Sequence, residues 1–139
     1  DQCKTVVSKS QQRMYFLRKL RSFHVDRTIL RLFYKSVIES VLLFSCVVWY
    51  GGCRKKDFSK LQGITKQAGK VTGEVQNLRE SCESKIIQGV KHIMQNEDHP
   101  LFSYYVVMRS GKRLRSMNCR TQRFLNSFVP SSIRIYNQT

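Results

Sequence analysis

Acid is what this chain has least of. Nine Asp and Glu stand against 25 Lys and Arg in 139 residues, a formal charge of +16. A compact domain with that balance repels itself. The deficit therefore points to a polyanionic partner, nucleic acid or an acidic membrane surface, with a merely basic soluble domain as the plain alternative. The few carboxylates are also scattered. No D-x-D or Asp-Asp pair offers the two ligands that a two-metal nucleotidyl transferase needs, and the adjacent pair Glu97-Asp98 reads as a solvated turn. Other chemistry is missing too. There is no Gly-rich turn ending in Lys-Ser or Lys-Thr, no G-x-S-x-G and no H-E-x-x-H, and nothing places a thiol beside a base. The chain reads as non-enzymatic, with no cofactor.

Close cysteine spacing is absent as well. Cys3, Cys46, Cys53, Cys82 and Cys119 are odd in number and include no C-x-x-C pair, the spacing of a zinc or redox site. Cys46 and Cys53 flank Gly51-Gly52, and His92 and His99 lie far along the chain. A composite metal site from these is a remote alternative to free thiols in a reducing compartment, which makes the protein intracellular, nuclear or cytoplasmic. No secretory signal opens the chain. It starts at Asp1, not Met, and so reads as a piece of something longer or an incomplete gene model. One apolar run, VLLFSCVVWY at 41–50, has ten residues, against the ~20 of a membrane-spanning helix. Glu39 and Arg54 bracket it, and it reads as the most buried helix of the domain.

What is present is helical periodicity over a hydrophobic fraction of 41%, enough for a core. The spacing predicts a first helix over about 5–23, with Phe16, Leu17, Leu20 and Phe23 as its buried stripe and Arg13, Arg18, Lys19 and Arg21 elsewhere. Asp26 is a good N-cap for a second helix, roughly 27–50. Ile29, Leu32, Phe33, Val37, Val41 and Phe44 form its apolar face, and Gly51-Gly52 ends it. A third helix is expected from an Asp57 N-cap to Gly73, with Phe58, Leu61, Ile64, Ala68 and Val71 inward. A fourth runs from near Asn77 to about Gln95, with Leu78, Cys82, Ile86, Val90 and Ile93 inward. Gly63, Gly69 and Gly89 lie inside these patterns and suggest close helix packing. The expected fold is all-α, a bundle opening with an antiparallel αα-hairpin over 1–98. After His99-Pro100 the acids stop. Residues 99–139 read as a basic, less regular segment, with LFSYYVVM open between helix and strand and Pro130 opening a last short helix.

RMYFLRKLRSFHVDRTILRLFYKSVIESVLLFSCVVWYGG and the following KKDFSKLQGITKQAGKVTG resemble the region downstream of the polymerase core in reverse transcriptases of vertebrate non-LTR (LINE-type) retrotransposons. HPLF at 99–102 and CRTQRFLNSFVPSSIRIYN at 119–137 are similar to the C-terminus of those reading frames. The resemblance implies thumb-like helices and a terminal region that grip template and primer backbones, RNA, DNA or a hybrid, beside a palm domain this chain lacks. The endonuclease and the polymerase catalytic motif are absent, so no catalytic residue carries over. The first part of the chain also resembles a short domain named after the N-terminus of an AlkB-homologue tRNA methyltransferase. A tRNA-modifying activity does not follow from that likeness, and an AlkB-homologue-like tRNA-modification accessory domain stands as an alternative reading.

Two readings follow. In the first, the chain is a non-catalytic nucleic-acid-binding module, with Arg13, Arg18, Lys19, Arg21, Arg113, Arg115, Arg120 and Arg123 on phosphates. Tyr15, Tyr104 and Tyr105 are candidates for stacking on unpaired bases, against the commoner role of aromatics in a helical core. In the second, it is a structural or protein-interaction fragment whose Phe33, Phe44 and Trp49 belong to a surface some partner covers. A helix lying on a membrane surface is a distant third.

Overall fold

Helix α1 (Gln2–Ser22) carries no acidic residue. It turns its small and medium apolar side chains inward: Cys3, Val6, Val7, Met14 and Leu17, with Ser10 among them, are buried. At 100° per residue these share an arc of about 100°. The aromatic stripe expected to pack inward lies outside that arc. Phe16 is 55% exposed and Phe23 68% exposed; of the four expected residues Leu17 alone is buried. The computed structural model describes residues 2–44 and 46–139.

His24, with φ of 58°, turns the chain, and Asp26 caps α2 (Arg27–Phe33) by accepting from the Thr28 N–H at 2.8 Å. The helix then widens into a π-type turn, Tyr34–Glu39, where the Ser40 N–H reaches back to the Lys35 carbonyl. It returns to α geometry in α3 (Ser40–Leu43). Leu30, Tyr34, Ile38 and Leu42 are buried at a constant spacing of four. A regular α-helix would drift that line off its face; the wider turn holds it in place. The expected face is therefore the wrong one: Ile29, Leu32 and Phe44 are exposed. Phe44 turns to extended backbone, and α4 (Cys46–Trp49) follows. The run at 41–50 is only partly buried, since Phe44 and Val48 face outward. By length and composition alone the stretch Arg27–Trp49 is apolar enough to cross a membrane, an 18-residue window within it having mean hydropathy 1.6.

Helix α5 (Lys55–Thr72) follows its predicted stripe, burying Leu61, Ile64, Ala68 and Val71. Arg54, not Asp57, occupies its N-cap, and Asp57 is buried in the first turn. Gly73 ends it at φ 81°, a left-handed conformation that glycine adopts without strain. Helix α6 (Leu78–Gln95) buries Leu78, Cys82, Ile86, Val90 and Ile93, as its period requires. Of the three internal glycines, Gly69 alone sits at a close approach, where a Cβ would lie 2.8 Å from the Glu74 carbonyl; Gly63 and Gly89 face open space.

LFSYYVVM resolves into neither candidate element. Phe102–Tyr104 is one 3₁₀ turn, and Val107 makes an isolated antiparallel bridge to Leu114. Short α7 (Gln122–Leu125) and α8 (Phe128–Gln138) close the chain, with Pro130 in the first turn of α8. The fold is all-α, with no strand among the described residues. It comprises two compact units, 1–45 with 53–81, and 46–52 with 82–139. In the first, α1 packs along α5 beside the α2 arm. In the second, Val90, Ile93, Tyr105, Leu114 and Ile133 form the core. The composition change at residue 99 falls inside this second unit.

Candidate nucleic-acid interface

An all-basic helix must put its cations somewhere, and α1 distributes them around its outer side. Arg13 is half-buried, and its guanidinium donates to the Val37 carbonyl at 2.5 Å. Arg18 donates to Gln67 Oε1 on α5. Lys19 lies over the Tyr15 ring, 5.7 Å from its centre, a cation–π contact at an exposed site. Arg21 stands exposed in the last turn, where the helix dipole favours positive charge. Sequence reasoning missed Lys66 and Lys70 on α5, exposed one and three residues from the Gln67 that Arg18 reaches. Their four-residue spacing was the available signal.

Two other cations are used internally. Arg31 Nε donates to the Thr72 carbonyl at 3.0 Å and lies 3.6 Å from Glu74, as Lys35 does from the same carboxylate. Beside them the Tyr34 hydroxyl meets Gln76 Oε1 at 3.3 Å, and Gln76 donates to Glu39 at 2.7 Å. Burial, then the Glu39 charge, pushes the Tyr34 phenol up to about 12. This network ties the π turn to the segment after α5. None of the eight candidate cations has a carboxylate partner among the described residues.

Four candidates lie in the second unit. Gly111, at φ 70°, turns a hairpin-like segment in which Met108 N–H bonds the Arg113 carbonyl and Arg115 N–H bonds the Val106 carbonyl, each at 2.8 Å. Leu114 points into the core, and its backbone is clasped on both sides by the Asn137 amide, at 2.8 and 2.9 Å. Extended backbone alternates its side chains, so Arg113 and Arg115 are exposed either side of Leu114. Arg120 is exposed in the following loop, and Arg123 in α7, whose N-terminus Thr121 caps through Phe124 N–H at 3.2 Å.

The aromatic candidates separate. Tyr15 and Tyr104 are exposed, but Tyr105 is 5% exposed and its hydroxyl bonds Ser132 Oγ at 2.8 Å. Burial raises its phenol. Tyr105 is a core residue and offers no ring for stacking. Trp49 is likewise buried and is no part of an exposed surface, whereas Phe44 is 76% exposed.

Cys3, Cys46 and Cys82 are buried, and Cys53 and Cys119 are half-buried. Cys46 is held down to about 7 by a hydrogen bond with Cys82, which together with the nearby Lys85 charge outweighs burial. Cys53 is pushed up to about 12 by burial and then by the Cys3 thiol. Among the described residues no three His, Cys, Asp or Glu side chains gather where a metal could bind.

Residues 2–40, from α1 to the end of the π turn, match the family described as alkylated DNA repair protein AlkB homologue 8, N-terminal. The match covers under a third of the chain. No curated protein matches the chain, and no solved structure does. The likeness to retroelement reverse transcriptases finds no support in these comparisons. Over its first helical hairpin the chain is similar to the N-terminal domain of the AlkB homologue 8 family.

Proposed function

We propose that the chain is a non-catalytic nucleic-acid-binding accessory module that holds a phosphate backbone for a catalytic domain elsewhere. One observation carries the reading. In the matched hairpin, α1 presents Arg13, Arg18, Lys19 and Arg21 with no carboxylate partner among the described residues. Unpaired charge of one sign on a rigid helix suits phosphates, which position a ligand without reading its bases. The family match favours an AlkB-homologue-like role in delivering a nucleic acid, such as tRNA, to a modifying enzyme. A thumb-derived fragment of a retroelement polymerase would use the same surface, and that reading rests on the sequence likeness alone.

Fluorescence anisotropy with single-stranded RNA, single-stranded DNA, an RNA–DNA hybrid and tRNA, each at several salt concentrations, tests the proposal. Affinity is expected to fall log-linearly with salt, and Arg18→Gln with Arg21→Gln to flatten the slope on single strands by about 1.4, the loss of two phosphate contacts. Preference for tRNA favours the AlkB-homologue-like role, and preference for the hybrid the polymerase one. Binding no better than that of a disordered peptide of equal charge overturns both.

A further inference from the structure

The aromatic face that α1 fails to bury does not disperse over the surface. Phe16, Leu20 and Phe23 of α1 and Phe33 and Val37 of the α2 arm line a groove of about 680 Å³ between the two helices. A second hollow, lined in part by Val41 and Phe44, continues it, and Arg13 and Ser36 border both. Together they form a trough along the hairpin. Helix α1, at 21 residues and 1.5 Å per residue, is about 31 Å long, so the trough has the reach of a helix of five or so turns.

The trough is apolar in its floor and positive at its edge. Lys9, Arg13 and Lys19 border it, and no Asp or Glu lines either part. We infer that it is a docking groove for an amphipathic helix of a partner protein, with an apolar stripe for the floor and Asp or Glu on its flanks for the three cations. Helix-in-groove recognition needs both elements, anchors at i, i+3, i+4 and i+7 and a rim of opposite charge. A phosphate backbone would meet the rim but gain nothing from the apolar floor. A second copy of this chain would bring another +16 against the rim. A bilayer offers a flat surface, where the concave trough accepts a single rod.

The test is a titration of the full chain with synthetic helical peptides of about 18 residues, some 27 Å long. One has a Leu stripe with Glu flanks, one the same stripe with Lys flanks, and one the composition of the first scrambled to destroy the stripe. Vesicles of phosphatidylcholine with phosphatidylserine form a separate arm. The Glu-flanked peptide is expected to bind, with the other two about tenfold weaker or worse. Phe16→Asp with Phe23→Asp, both at exposed positions and checked for retained helicity, should reduce its binding by about tenfold. Lys9→Glu with Lys19→Glu should transfer the preference to the Lys-flanked peptide, an outcome that a misfolded variant cannot produce. Equal binding of the scrambled peptide, or vesicle binding that the Glu-flanked peptide does not displace, overturns the inference.

Discussion

Ser10 faces inward from α1, fully enclosed, and its Oγ has no hydrogen-bond partner among the described residues. A buried hydroxyl left unsatisfied costs about 1–3 kcal/mol of desolvation, and alanine is the better helix former. Ser10→Ala is expected to raise the denaturant midpoint, with a gain of about 1 kcal/mol in urea titration. A loss of stability would mean the hydroxyl is bonded in solution. Asp26 works in the opposite sense. Hydrogen bonds from the Thr28 hydroxyl and then its backbone N–H hold its carboxyl below the usual 3.8. A carboxylate depressed in the folded state stabilises it above the unfolded pKa, and the contribution disappears as pH falls through the folded value. Asp26→Ala should therefore lower the thermal midpoint at neutral pH, and the difference from the parent should shrink as pH falls through the folded carboxyl's depressed pKa. Asn in its place should keep the cap.

Among the elements, the glycines divide into those the packing needs and those it does not. At Gly51 a Cβ would lie 2.6 Å from the Asn126 carbonyl and 2.7 Å from Ser131 Oγ. The carbonyl belongs to the backbone and cannot step aside. Gly51→Ala should cost about 1–3 kcal/mol by overpacking, read as a lower urea midpoint. Gly63, inside α5, faces open space, and Gly63→Ala should stabilise by about 0.5–1 kcal/mol. Helices α5 and α6 were legible because each has one apolar stripe, so period alone chose the buried face. The first two helices were not, because apolar residues occur on more than one side. A projection at constant pitch chose Phe16 and Phe23, and Ile29 and Leu32. The π turn then changed the pitch of the second helix, and that is a tertiary accommodation no periodicity reports.

For the molecule as a whole, charge dominates. With +16 in 139 residues and Glu74 the acid that the described ion pairs share, the folded state carries its own repulsion. Screening should relieve it. The Debye length falls from about 30 Å at 0.01 M to about 8 Å at 0.15 M, so the thermal midpoint is expected to rise between those salt concentrations, measured by circular dichroism. Nucleic acid at low salt should substitute for added salt and raise the midpoint too. A midpoint independent of salt would show that the cations are already compensated. Of the candidate interface, the cations were visible in sequence, because charge is carried by residue type. Their grouping was not. Arg18 reaches α5, Arg13 and Lys19 border the trough, and Tyr105 turned out to be core, because each depends on which way a helix or loop is rotated.

The sequence by itself determined the helical class, the extents of α5 and α6, the Asp26 and Gly73 caps, and the excess of positive charge. These depend on local spacing and residue type, which the chain carries without reference to its neighbours. Only the tertiary structure decided which faces of the first two helices are inside. The π turn Tyr34–Glu39 keeps Leu30, Tyr34, Ile38 and Leu42 on one inward line, a change of pitch that no local spacing encodes. That choice left Phe16, Phe23 and Phe44 outside, beside Lys9 and Arg13, as an apolar trough with a basic edge.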